Sequence, residues 1–137
     1  MSGKTVLDSG VIAAIFFPEE LTATAIKKIT WMDCVTVDLA LAEVANVAAK
    51  RILSGKDSPD DVKIMLDDAT VFIQDLCETI PAGQLIQPAL DLACELNISL
   101  YDALFVAAAV RHRATLFTAD TELSSVAKKV CRVRLLE

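Results

Sequence analysis

The chain has 137 residues, a formal net charge of −6 and a hydrophobic fraction of 54%. Residues 1–137 are predicted to form one domain, since this length buries a substantial core but does not suit two domains. Charged residues interrupt every apolar run well before the ~18 residues that a membrane span requires, and the acidic balance confines any contact with a polyanion to a local patch.

The first half of the chain alternates short β-rich runs with longer helical patterns. These predict, in chain order, a strand at 4–7, helices at 9–17 and 21–32, a strand at 34–37, and helices at 39–53 and from 59 into the seventies. Pro18 ends or follows the first helix, while Asp38 opens the long helix and Gly55 closes it. Ser58 as a cap and Pro59 at the first helical position begin the next helix.

The second half repeats this alternation. It predicts a strand at 78–80, a helical pattern at 84–97, a helix at 100–112, a strand within 114–120, a helix at 121–129 and a strand at 131–136. Pro88 lies inside the first of these helical patterns and predicts a kink or a junction between two shorter helices. Regular alternation of strand and helix predicts an α/β fold whose central parallel sheet is covered by helices.

Three aspartates lie at predicted element ends. Asp8 and Asp120 each follow a strand and precede a helix, at the edge where open α/β sheets bind ligands. Aspartate is also a favoured N-cap residue, worth about 1 kcal/mol, so capping explains either residue alone. Asp102 closes the sequence SLYD, which fits a capping box in which Ser99 caps the helix and the acid reaches back to it. Each position therefore has a structural explanation as well as a functional one.

Glu43 cannot be a cap, because it lies inside the long helix. On a helical wheel Glu43 shares one side with Asn46 and Lys50, opposite an apolar side. That polar side is explained either as a solvated stripe or as one wall of a cleft shared with the aspartates. Helical periodicity does not distinguish the two.

Four short motifs in order resemble those of PIN-domain proteins, a family that includes the ribonuclease toxins of VapBC-type toxin-antitoxin pairs. The motifs are LDSG at 7–10, ALAEVAN at 40–46, SLYDALFVAAA at 99–109 and LFTADTEL at 116–123. The resemblance covers nearly the whole chain, with all four acidic positions intact. It implies a three-layer α/β/α fold, a parallel sheet between two helical layers.

The resemblance also implies roles for individual residues. The acidic metal-binding and catalytic set is Asp8, Glu43, Asp102 and Asp120. Polar or acidic positions that flank the pocket are Ser9, Asn46, Thr118 and Glu122. For Glu122, a place in the first turn of a helix is explanation enough.

This residue set favours metal-dependent hydrolysis. Two carboxylates about 4 Å apart repel by roughly 4 kcal/mol at an effective dielectric of 20, so converging acids need a cation or protons between them. Oxygen-only ligands suit Mg²⁺ or Mn²⁺. We therefore expect an endoribonuclease in which one or two such ions promote attack of water on an RNA phosphodiester. Asp8 and Asp102 are the expected direct ligands, with Glu43 and Asp120 completing the shell or positioning water.

Other readings remain open. A phosphotransfer hydrolase that forms an aspartyl-phosphate is disfavoured, because Gly10 stands where its second acid is usual. A non-catalytic PIN-like module that docks a partner is the stronger rival, and metal titration would separate it from an enzyme. The mean hydropathy of +0.48 suggests surplus apolar surface, hence a dimer or protein partner. The resemblance implies a homodimer held inactive by a cognate antitoxin.

The remaining features bear on compartment and charge. The N-terminal sequence lacks the long apolar region of a secretory signal, so we expect a cytoplasmic protein with no membrane partner. Four widely spaced cysteines are expected to be free thiols in that compartment. Basic residues cluster at 111–113 and 128–134, which solvated helix ends and a charged edge strand explain better than a phosphate contact does.

Overall fold

The computed structural model describes residues 3–137. Its five strands are β1 (Lys4–Leu7), β2 (Asp33–Val37), β3 (Glu78–Ile80), β4 (Thr115–Thr118) and β5 (Arg132–Leu135). Its seven α-helices in these residues are α1 (Ser9–Phe16), α2 (Thr22–Ile29), α3 (Leu39–Leu53), α4 (Pro59–Val71), α5 (Ile86–Leu96), α6 (Leu100–His112) and α7 (Thr121–Ala127). A π-helical turn at Phe72–Leu76 extends α4, and a 3₁₀ turn at Ala82–Gln84 precedes α5.

All strand pairs in the sheet are parallel, in the order β3-β2-β1-β4-β5. The central strand β1 is apolar on both faces, and Val6 and Leu7 are fully buried. Burial on both faces is what a parallel sheet with helices on each side requires. The predicted α/β/α sandwich is confirmed, and β5 is the charged edge strand that the basic cluster at 128–134 favoured.

The helices pack in two groups. Helices α1 to α4 contact one another, whereas α5 packs on α6, which lies against β1, β2 and β4. Residues 103–109 of α6 are all buried. Only the ends of this helix reach the surface, and its first turn, with Asp102, does so at the carboxyl end of the sheet.

Three details at the predicted element ends differ from expectation. Helix α2 ends at Ile29, because the chain turns there to enter β2 and the Met32 amide donates to the Ile29 carbonyl at 3.0 Å. Likewise α7 ends at Ala127, since residues 128–130 turn into β5. Pro88 causes no kink, because it falls in the first turn of α5, where its missing N–H has no intrahelical partner to lose.

Asp38 lies directly before α3, as predicted, but its side chain does not cap the helix. Its backbone is already helical, with φ −63° and ψ −17°, and its carboxylate makes no cap hydrogen bond. Instead it accepts from the Ala82 amide at 2.9 Å, which ties the segment after β2 to the segment after β3. At the other end, Gly55 closes α3 as predicted, in the left-handed conformation with φ 73°.

The four cysteines are free thiols, as predicted. Within residues 3–137 no single helix has the length and apolar character needed to cross a membrane; α5 and α6 reach the length only together and meet at a bend of 111°.

Candidate active site

The carboxyl ends of β1 and β4 form the centre of the candidate site. The chain runs outward from β1 to β2 and β3 and then returns to β4 on the other side of β1. Parallel sheets bind ligands in the crevice at such a reversal of strand order. Asp8 follows β1 directly and Asp120 lies just beyond β4, so both aspartates lie at this crevice.

Asp8 is the most deeply placed of the acids, with 9% of its surface exposed. Its Oδ1 accepts from the Val11 amide at 3.0 Å and so caps α1. Its Oδ2 accepts from the hydroxyl of Thr118, the fully buried last residue of β4. Asp8 therefore does cap α1, through one of its two carboxylate oxygens, and the same carboxylate lies at the crevice.

Asp120 is joined to Asp8 through Thr118. The Asp120 amide donates to Thr118 Oγ1 at 3.1 Å, so one hydroxyl contacts the carboxylate of one aspartate and the backbone of the other. Asp120 Oδ1 accepts from the amides of Glu122 and Leu123 at 2.9 and 3.1 Å and caps α7. Glu122 is an exposed acid in the first turn of α7.

Asp102 lies in the first turn of α6 and is half-buried. Its amide donates to Ser99 Oγ at 3.1 Å, which is the serine half of the predicted capping box. Burial raises the pKa of the Asp102 carboxyl, and the Ser99 hydroxyl partly opposes this rise. The serine therefore caps α6 as the box predicts, and the charges of Asp120 and Glu43 act on the Asp102 carboxyl.

Glu43 is not part of a solvated stripe. It is half-buried, and its Oε1 accepts from Ser9 Oγ at 2.6 Å, which directs it toward the start of α1 beside Asp8. Asn46, one turn further along α3, is exposed and lines the same side. Glu43 alone of this side of α3 turns inward in this way, since Asn46 and Lys50 are exposed.

The charges of neighbouring acids act on the Asp8 and Asp102 carboxyls. Burial raises the pKa of Asp8 to about 6; hydrogen bonds from Thr118 and Val11 oppose this, and the charges of Asp102 and Asp120 add to it. Burial also raises the pKa of Asp102, and the charges of Asp120 and Glu43 raise it further. Like charges that share one region raise each other's pKa in this way.

The donor chemistry of this set suits a hard divalent cation. In residues 3–137, however, no three carboxylate, histidine or cysteine side chains are grouped closely enough to hold one ion as they stand. Asp8, Glu43 and Asp120 each accept from a neutral N–H or O–H donor of the protein. Carboxylate oxygens are the ligands that Mg²⁺ and Mn²⁺ prefer, so binding of one ion would require these acids to release their protein donors and to move closer together.

A pocket of about 430 Å³ adjoins the carboxylates. Glu43 and its hydrogen-bond partner Ser9 line this pocket, and its other walls are mainly apolar. The remaining lining residues are Gly10, Leu39, Ala42, Asn46, Val47 and Tyr101. Sequence reasoning assigned no role to Tyr101, for which the one available signal was an aromatic residue next to Asp102.

Comparison with known proteins identifies a domain and a curated relative. A family model described as PIN domain matches residues 5–129. The chain is also 31% identical over 122 residues to Ribonuclease VapC3 of Pyrobaculum aerophilum, a match that covers 88% of this chain and 92% of the relative.

Two solved structures share the fold. The protein PAE2754 of Pyrobaculum aerophilum superimposes with a TM-score of 0.73 at 19% identity, covering 95% of this chain and 82% of that one. A toxin-antitoxin complex from Klebsiella pneumoniae gives a TM-score of 0.60 at 18% identity, covering 89% and 91%. Identities this low support the architecture alone.

Proposed function

The chain belongs to the PIN-domain family, as its four motifs predicted, and on this premise we propose that it is a metal-dependent endoribonuclease and the toxin of a toxin-antitoxin pair. The curated relative is a ribonuclease that matches over most of both chains. One of the fold neighbours is a toxin-antitoxin complex. The first likeness supports a ribonuclease, and the second shows the same fold in a complex of the proposed kind.

One observation in the chain itself carries the proposal. Asp8, Glu43, Asp102 and Asp120 come from four separate segments, yet Thr118 joins Asp8 to Asp120, Ser9 directs Glu43 to the start of α1, and the charges of Asp120 and Glu43 act on Asp102. Among residues 3–137 no ion pair to a lysine or arginine offsets any of the four. A fold gains nothing from uncompensated like charges, so their grouping is explained by a cation that they bind during function.

The residues divide into two roles. Asp8 and Asp102, whose pKa values are raised, are the proposed direct ligands of Mg²⁺ or Mn²⁺, and Glu43 and Asp120 complete the shell or position water. A bound divalent cation would supply positive charge to the phosphodiester and favour the attack of water. Thr118 holds Asp8 and Asp120 in relation to each other, and Ser9 holds Glu43.

We also propose a cytoplasmic homodimer that a cognate antitoxin inhibits. Large apolar side chains on the surface support protein partners: Leu53 is 86% exposed, Leu76 70% and Ile64 61%. Sedimentation of the purified chain would report a dimer, and co-expression with the antitoxin would restore growth that the chain alone arrests.

The first prediction tests the nuclease. Wild-type protein should cleave single-stranded RNA with Mg²⁺ or Mn²⁺ and lose this activity with EDTA. Asp8→Asn and Asp102→Asn should each reduce the cleavage rate by at least about 100-fold, because they remove a charged ligand but keep the shape of the side chain. Full activity in both variants would contradict the assignment.

Asp38→Asn is the matched control. Asp38 also follows a strand at this edge of the sheet, and an amide oxygen can still accept from Ala82. This variant should cleave at the wild-type rate. Calorimetric titration with Mn²⁺ separates an enzyme from a non-catalytic docking module, because the enzyme must bind the ion and lose affinity for it in Asp8→Asn.

A further inference from the structure

We propose that the apolar pocket beside the carboxylates binds one unpaired base of the substrate RNA, and that Tyr101 is the surface on which this base stacks. The inference rests on the proposed ribonuclease function. In the bound single strand, the base next to the cleaved phosphodiester unstacks from its neighbours and enters the pocket.

The pocket lies next to the acidic site. Ser9 and Glu43 line the pocket and also belong to the acidic site, so the two spaces are continuous. Tyr101 lines the pocket and directly precedes Asp102 in α6. A phosphodiester held at the acids therefore brings its own neighbouring base to the mouth of this pocket.

The walls of the pocket suit a flat, mainly apolar group with polar edges. Leu39 and Val47 are half-buried members of the apolar wall, and Tyr101 is 59% exposed. Stacking a base on an aromatic ring is the usual means by which proteins hold single-stranded nucleic acid. Asn46 offers both a donor and an acceptor at the rim, where the edge of a base can meet them.

Charge decides which part of the RNA enters. The chain carries a net charge of −6, and Glu43 forms part of the pocket wall, so a second phosphate would be repelled there. A base is neutral and is not repelled. The volume of about 430 Å³ lies within the range of pockets that hold small organic groups, and an unpaired base can enter it without the cost of breaking a base pair.

The second prediction measures cleavage of matched RNAs. Two single-stranded RNAs that wild-type protein cuts at one mapped position are compared: an intact one, and one with abasic sites on both sides of the cut. Tyr101→Ala should lower kcat/KM for the intact RNA on the order of 10- to 100-fold, the range expected for one lost stacking contact. It should leave kcat/KM for the abasic RNA unchanged.

Three further variants sharpen this result. Tyr101→Phe keeps the ring and should retain wild-type kcat/KM. Ala42→Leu places a larger side chain in the pocket and should lower kcat/KM for the intact RNA more than for the abasic RNA, since it fills the space that the base would occupy. Trp31→Ala is the control, because Trp31 is 91% exposed just before β2, at the opposite end of the sheet.

The outcomes separate this proposal from the nuclease proposal. Cleavage that Tyr101→Ala leaves unchanged, or reduces equally for both RNAs, overturns the base pocket while the nuclease stands; the pocket would then suit a protein side chain. If the wild-type chain cleaves no RNA, fluorescence of a single-stranded RNA containing 2-aminopurine decides. Quenching that Tyr101→Ala abolishes and Tyr101→Phe keeps supports the pocket, and absence of quenching overturns it.

Discussion

The two ends of the sheet treat acidic side chains in opposite ways. At the amino end, Glu78 accepts from Lys4 Nζ at 2.7 Å and lies 3.9 Å from His112 Nδ1. The hydrogen bond from Lys4, with the charges of Lys4 and His112, holds the pKa of Glu78 below its usual range. At the carboxyl end, burial and neighbouring acids raise the pKa of Asp8 and Asp102.

This difference separates a charge that serves stability from the charges that we propose serve function. A carboxylate paired with a cation favours the folded state at neutral pH, whereas a buried carboxylate among like charges opposes it. Both kinds occur within one small fold, at opposite ends of β1. The carboxyl end is therefore where an outside cation has most to contribute.

The third prediction concerns stability against pH and is the largest effect expected from this contrast. The pKa of Asp8 is about 6 in the folded chain, above its ordinary value of 3.8. Its contribution to stability is therefore complete below about 3.8 and lost as pH rises through about 6. A shift of this size corresponds to about 3 kcal/mol. Asp8→Asn should abolish this loss.

Urea unfolding in EDTA, at pH values between about 4 and 7, measures this effect. The free energy of unfolding of Asp8→Asn should exceed that of wild type increasingly toward neutral pH. Asp38→Asn should follow the wild-type curve. Parallel curves for Asp8→Asn and wild type would show that the charge of Asp8 does not destabilise the fold. Mn²⁺ should narrow the difference in unfolding free energy between the two proteins, because it stabilises wild type alone.

The fourth prediction removes the hydroxyl that joins the two aspartates. Thr118→Val deletes the donor to Asp8 Oδ2 and the acceptor for the Asp120 amide. Because Thr118 is fully buried, the free energy of unfolding should fall by about 1–3 kcal/mol. The Thr118 hydrogen bond lowers the pKa of Asp8, so its loss should move the acidic limb of the cleavage profile to higher pH.

Thr118→Ser distinguishes positioning from packing in this test. Serine keeps the hydroxyl and loses only a methyl group, so the pH profile of cleavage should return to that of wild type while part of the stability loss remains. A Thr118→Ser profile as shifted as that of Thr118→Val would assign the effect to packing instead.

The alternation of strands and helices was predictable because each apolar run is short and bounded by capping or breaking residues. The end of α2 and the role of Asp38 were not, since they depend on neighbouring segments: the turn into β2 and the Ala82 amide. Pro88 was misjudged because the start of α5 at Ile86 is set by the preceding 3₁₀ turn.

The site divides in the same way. Asp8 and Asp120 could be placed together from the sequence, since strand ends of a parallel sheet meet at one edge. Asp102 and Glu43 needed the family resemblance, because a capping box and a polar stripe fit them equally well. The Ser9 hydroxyl that turns Glu43 inward and the pocket at Tyr101 arise from tertiary contact between α1, α3 and α6. No local pattern encodes them.

The fifth prediction is the smallest and applies the same change to the other end of the sheet. Glu78→Gln removes an exposed carboxylate that pairs with Lys4 and lies near His112. Tm should fall by at most about 4 °C, and less at high salt, because ions screen surface pairs. RNA cleavage should not change. If Glu78→Gln instead raised Tm as Asp8→Asn is expected to at neutral pH, the two ends would not differ in charge compensation, and the repulsion at the carboxyl end would no longer single out a functional site.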